Sequence, residues 1–302
     1  MTAIGVMIEG QEGLTWERWR SLCADAEQLG FATLRRSDHF FSVMGEHERD
    51  SIDCWTSLAL AAEWTSRIEL GPMVTPLTFK LPALLAREAA AVDLLAGGRL
   101  ILGVGAGWNV PEHEAFGIPF PSLKERFDNL ESGIDRIHRT WEMSNPKPPR
   151  GGQVPLLIGG GGEKRTLGLA ARHAAEWNLN PIDLDAFRSK SAILDGYCRD
   201  LGRDPAEIRR SVMCVALVGR DHDELHQRAR ALGLVIPRYR ELKPDQVVAA
   251  VAERGLAGTV EQVVDRVRDG AAAGVELFCC QHFLLDDRDH LRALAEVAKA
   301  VA

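Results

Sequence analysis

Apolar and polar positions alternate along this chain in two rhythms. Short β-rich runs stand at residues 4–8, 33–36, 67–74, 100–104, 155–158, 175–179, 211–218 and 275–281. Between them run amphipathic stretches with the 3.6-residue period of helices, at 16–29, 54–64, from Pro82 to the Gly97-Gly98 pair, 164–174, 184–201, 224–234, 260–273 and 289–301. The punctuation agrees: Gly30 follows the first helix, Pro82 opens another, and Ser122-Leu-Lys-Glu125 is a capping-box sequence. After that box Leu123, Phe127, Leu130, Ile134, Ile137 and Trp141 recur at spacings of four and three, which predicts a helix. Eight strand candidates alternating with helices, and no long linker, predict a single domain over residues 1–302, an α/β chain closed as a (β/α)₈ TIM barrel rather than two Rossmann-like halves.

Composition narrows the classes of function. With 302 residues, 46% hydrophobic and 26% charged, the chain buries a large core, and a formal charge of −7 without a basic tract speaks against nucleic-acid binding. There is no signal-like start and no run of 18 apolar residues, so a cytoplasmic protein acting on small molecules, away from membranes and possibly a homodimer, is expected. Cys23, Cys54, Cys198, Cys214, Cys279 and Cys280 lie in apolar segments without a Cys-x-x-Cys pair and read as reduced thiols.

Candidate chemistry gathers at the ends of strands, where a parallel barrel places its active site. Gly103-Val-Gly-Ala-Gly107 follows a strand but has Trp108 where a dinucleotide fingerprint needs its third glycine. Gly159, Gly160, Gly161 and Gly162 join a strand to a helix, and their free N–H groups with the helix dipole suit a phosphate. Asp38-His39 ends the second strand, and His39 is the first choice for moving a proton; the alternative is a histidine packed at the rim. Strand alternation sends either Arg35 or Arg36 inward, as a pocket cation or the partner of a buried acid such as Glu9; Arg36 and Glu9 are the substrate-pocket candidates. His222 and His226 stand one helical turn apart, but Asp223 replaces the glutamate of a zinc motif and no third ligand follows, so no metal is expected.

These blocks together resemble a known family. Ser37-Asp-His-Phe40, residues 67–76, Gly98 through Trp108, Glu112 through Pro121, residues 155–166 and the late Gly258-Thr-Val-Glu-Gln run are similar, in order and over nearly the whole chain, to F420-dependent oxidoreductases of the bacterial luciferase-like superfamily. The resemblance implies a deazaflavin at the carboxyl ends of the strands, its phosphate on Gly159 to Gly162, and its ring beside Ala106, Gly107 and Trp108. It implies His39 at the reacting face, with Asp38 nearby, and a non-prolyl cis peptide behind the ring, for which Pro72–Met73 is the best match and Gly71–Pro72 the lower-cost alternative. Two departures stand out. Some relatives carry a glutamate where this chain has Trp108, and the stretch from Trp141 to Pro155 lacks an insertion that shapes the substrate entrance in relatives, which suggests a more open pocket here.

The leading expectation is hydride transfer between coenzyme F420 and a small organic substrate, with His39 moving the proton. The alternatives are an FMN-dependent monooxygenase, which needs a dry pocket for reduced-flavin oxygen chemistry, and a non-catalytic flavin-binding barrel.

Overall fold

The computed structural model describes residues 2–45 and 48–302. In chain order the elements are β1 (Ala3–Ile8), α1 (Trp16–Leu29), β2 (Thr33–Arg36), α2 (Cys54–Trp64), β3 (Glu69–Pro72), β4 (Thr75–Pro76), α3 (Pro82–Leu95), β5 (Leu102–Gly105), α4 (Val110–Ala115), α5 (Leu123–Met143), β6 (Leu156–Gly159), α6 (Thr166–His173), β7 (Ala174–Leu179), α7 (Leu184–Asp200), β8 (Arg209–Gly219), α8 (His222–Val235), α9 (Pro244–Ala252), β9 (Leu256–Thr259), α10 (Val260–Ala272), β10 (Leu277–Gln281) and α11 (Arg288–Val301). The strands pair in the order β3-β2-β1-β10-β8-β7-β6-β5-β4, and every pairing is parallel. Both ends of that path belong to one stretch of chain, residues 69–76. A bridge between Leu70 and Leu100 therefore completes the ring, and the expected barrel is the observed fold.

The cis peptide lies at Met73–Val74, one bond beyond the Pro72–Met73 expected from the resemblance, and it divides the expected third strand into β3 and β4. Three elements are additional to the sequence reading: α4, α9 and β9. β9 pairs only with the upper half of β8, at Ala216 to Gly219, and with α8 and α9 it builds a wall beside the barrel mouth.

Local chemistry explains the helix limits. Thr15 caps α1 by accepting from the Arg18 N–H, and Gly30 at φ 81° closes it. The capping box of Ser122 and Glu125 forms as expected, and α5 buries Leu130, Ile134, Ile137 and Trp141, while Leu123 stays exposed.

The barrel interior is layered. Its middle is apolar: Met7, Met73, Ile101, Leu157, Leu277 and Cys279 form a plug. Below it, at the amino ends of the strands, Arg35 reaches Glu69 and Glu176, which Arg209 also engages, and the Ser211 hydroxyl donates to Glu176 at 2.7 Å. So Arg35 is the inward arginine, and its acids are Glu69 and Glu176 rather than Glu9. Around the barrel, four fully buried tryptophans hold the helical layer, and two of them reach the site: Trp55 Nε1 donates to Thr75 Oγ1 at 3.0 Å and Trp177 Nε1 to the Gly160 carbonyl at 2.9 Å. All six cysteines are buried and unpaired. Among the described residues no helix is long and apolar enough to cross a membrane.

Candidate active site

β2 ends at Arg36, and beyond Ser37 the residues Asp38 and His39 turn their side chains to different tasks. Asp38 accepts from the Thr75 hydroxyl at 2.7 Å, the same hydroxyl that receives the Trp55 indole N–H. Burial pushes its carboxyl above the usual carboxylate range, against the Thr75 bond and the charges of Lys80 and Arg36. His39 lies at the mouth, with 15% of its side chain exposed. Its Nδ1 meets Glu112 Oε2 at 2.7 Å, and its ring edge packs on Trp108 with centroids 5.7 Å apart. Burial disfavours a charge on this imidazole, but the bond to Glu112 and the charges of Glu112, Glu9 and Asp38 outweigh it and raise the pKa above its ordinary value.

Glu112 did not emerge as a site residue from the sequence. It is fully buried on α4, and besides His39 it accepts from the Phe40 N–H at 2.6 Å and from Asn109 Nδ2 at 2.7 Å. The available signal was the Asn109-x-x-Glu112 spacing at a helix start, where the two side chains bond each other instead of the backbone. His113, next on α4, donates Nδ1–H to the Asn109 carbonyl, meets the Thr78 hydroxyl through Nε2, and fixes α4 against the loop after β4.

Beside His39 the mouth has a flat floor. Val74 sits half-buried on the apolar plug, and glycines surround it: a Cβ on Gly105 would stand 2.7 Å from Val74 Cγ2, and one on Gly103 2.1 Å from the Pro72 carbonyl oxygen. β5 can approach the 72–74 segment this closely only without side chains. Pro72 and Met73 belong to the wall and plug, whereas Ala106, Gly107 and Trp108 form the rim, with Trp108 64% exposed. Gly159 leaves β6 next to Val74, and Gly160 at φ +115° turns the chain toward α6. The Lys190 side chain lies against Gly161, and the Thr166 hydroxyl at the start of α6 lies against Gly162. Gly161 and Gly162 lead into the start of α6, where an anion is favoured, whereas the Gly160 N–H is taken by the Asn178 carbonyl at 2.9 Å and Lys190 pairs with Glu163 at 3.2 Å.

Across the mouth from that floor, Glu9 is buried between Gln11, whose Nε2 donates at 2.9 Å, and Gln281, whose Nε2 donates to Oε1. Gln281 also lines a cavity of about 430 Å³ together with Met44, Asn180, Val215, Arg238 and Arg254. Arg36 is not brought there. Its guanidinium is fully buried behind the strand, on the Ser57 hydroxyl and the Ile52 carbonyl. Nor does the short connection after α5 reach the mouth: it returns to the amino end of β6, where Arg150 bonds the Leu100 carbonyl, so its length does not open the pocket. A larger hollow of about 650 Å³ lies beside α8, but its Arg18 and Arg228 are already paired with Asp286 and Asp287. On α8, His226 bonds Asp245.

Residues 1–277 match the family model for luciferase-like monooxygenases. An F420-dependent hydroxymycolic acid dehydrogenase of Mycobacterium tuberculosis is 26% identical over 301 residues, covering 93% of this chain and 79% of that protein. The structure of an F420-dependent secondary alcohol dehydrogenase with an F420-acetone adduct matches all of both chains with TM-score 0.83 at 19% identity. The FMN-bound oxygenating constituent of 3,6-diketocamphane monooxygenase of Pseudomonas putida matches with TM-score 0.76 at 17% identity, over 100% of this chain and 98% of that one. With a barrel that carries an imidazole, closely packed glycines and a four-glycine loop at one mouth, the chain belongs to the luciferase-like monooxygenase family and is an oxidoreductase.

Proposed function

We propose that this enzyme transfers a hydride between coenzyme F420 and a small organic substrate. The observation that carries the reading is the position of His39, held on Glu112 at the edge of the glycine floor. In this reading Gly103, Gly105 and Val74 receive the flat ring, and Gly159, Gly160, Gly161 and Gly162, with Lys190 and Thr166, receive the phosphate. Bound there, the deazaflavin would supply a two-electron hydride carrier. The protein's own residues orient the reactants and move the proton: His39 Nε2 exchanges it with the substrate atom bonded to the one that gains or loses the hydride. The cavity bordered by Gln281 would admit the substrate from the opposite side of the mouth.

The F420 reading is supported by the dehydrogenase relative and by the open rim, since a hydride carrier needs no sealed pocket whereas an oxygen intermediate does. The family match and the FMN-bound neighbour favour a second reading, a reduced-flavin monooxygenase. Titration of the purified cofactor-free protein with each cofactor decides between them. F420 is expected to bind about tenfold or more tightly than FMN, a difference of about 1.4 kcal/mol. A preference for FMN would transfer the protein to the second reading.

A further inference from the structure

Glu112 stands 73 residues from His39 in the chain yet makes its one side-chain hydrogen bond. Three donors converge on this carboxylate. Oε1 takes the Phe40 N–H, and Oε2 takes Asn109 Nδ2 and His39 Nδ1. A backbone N–H cannot accept, so Glu112 meets Phe40 only as an acceptor, and an ionised carboxylate satisfies all three contacts at once. The proton of the contact with His39 then belongs to Nδ1, and Nε2 is the nitrogen left for the mouth.

We propose that Glu112 is a positioning residue that fixes His39 with Nδ1–H on its carboxylate and keeps the ring protonated, so that His39 enters the reaction as a proton donor through Nε2. The largest charges acting on this ring are acidic: Glu112 from α4, Glu9 from the end of β1, and Asp38 from its own segment. The Trp108 ring packs against it in a T-shaped contact, centroids 5.7 Å apart. An imidazolium in such surroundings is held by charge-assisted bonding to Glu112. In the step itself the Nε2–H bond breaks, its electron pair stays on nitrogen, and the proton passes to the substrate atom next to the one that receives the hydride, which has taken up the electron pair of their shared π bond; F420 in its reduced form is the reductant. That catalytic use rests on the function proposed above, whereas the charge and tautomer of His39 do not.

The test therefore uses the cofactor-free protein. NMR titration of histidine-labelled wild type, with His39→Gln to assign the signal among the nine histidines, reads both ring nitrogens directly. His39 is expected to titrate above 6.5 with its neutral form protonated at Nδ1, and Glu112→Gln is expected to lower the midpoint by about one unit or more. Unshifted signals of the other histidines report that the variant has folded. An unchanged midpoint in Glu112→Gln would overturn the proposal. If that variant does not fold, the wild-type titration still decides: a midpoint below 6.5, or a neutral form protonated at Nε2, overturns it. A protein that shows the expected titration but binds no F420 would refute the proposed function and leave the pair intact.

Discussion

A histidine at the end of a barrel strand either reacts or packs, and its surroundings separate the two. His39 is partly open to the mouth, touches Trp108 only by its edge, and is tied by a single nitrogen. Its removal deletes little buried apolar contact. His39→Ala is therefore expected to lower turnover by roughly 10²–10⁴-fold while cofactor affinity and thermal midpoint stay near wild type. Single-turnover kinetics with cofactor bound measure this, and a rate within about threefold of wild type, far short of a general-acid effect, would return His39 to a packing role. The histidine was legible because a strand end in a parallel barrel has a fixed direction. Glu112 was not, because its contact spans 73 residues and no periodicity records such a pairing. Arg35 and Arg36 show the same limit. Alternation gives each a face, but which partner waits there depends on other elements: Glu176, 141 residues along, for Arg35, and the Ser57 hydroxyl of α2 and the Ile52 carbonyl before it for Arg36.

At the scale of elements, the junction of β6 and α6 carries the strongest local prediction. Gly160 has φ +115°, where a β-branched side chain is strained, and a side chain on Gly161 would press on Leu179 and Lys190. Replacing both with valine is expected to weaken cofactor binding by about tenfold or more, because the loop's N–H groups can no longer converge on one anion. Calorimetry on a variant with wild-type circular dichroism checks it, and unchanged affinity would remove the phosphate from this loop. The helices were legible where caps and periodicity agreed, as at Ser122 and Glu125. The break between β3 and β4 was not, since Gly-Pro-Met-Val-Thr-Pro reads as one apolar run. β9 escaped for another reason. Leu256-Ala-Gly-Thr is four residues long and leads directly into the cap of α10, so its pattern merges with a helix start. α9 buries only Val247 and Val251 and shows no polar stripe to set its period.

For the whole molecule, the barrel is closed by β10 and covered there by α11, and a buried histidine pair joins the two. His290 Nε2 accepts the Val218 N–H at 3.1 Å, so the neutral ring carries its proton on Nδ1 and donates it to His282 Nδ1 at 2.8 Å. Burial holds both rings neutral: His282 is lowered to about 4 against the pull of Asp287 and Asp286, and His290 falls well below its ordinary value, where His282 and Arg228 add to the burial effect. The sign of the pH effect follows. A depressed folded pKa means that the unfolded chain binds more protons between about 4 and 6.5, so this contribution is full above 6.5 and is lost as pH falls toward 4. His39, raised in the folded state, acts in the opposite sense: its contribution is full below its unfolded pKa and fades as pH rises through the folded one. The two effects occupy different windows. Urea unfolding from pH 7 to 4.5 is thus expected to show stability falling by up to about 1.4 kcal/mol per pH unit for each buried histidine. Replacing both rings by glutamine, which keeps an acceptor for the Val218 N–H but does not titrate, should leave a less stable protein whose acid slope is shallower. A slope identical to wild type in that double variant would show that the acid sensitivity arises elsewhere in the barrel.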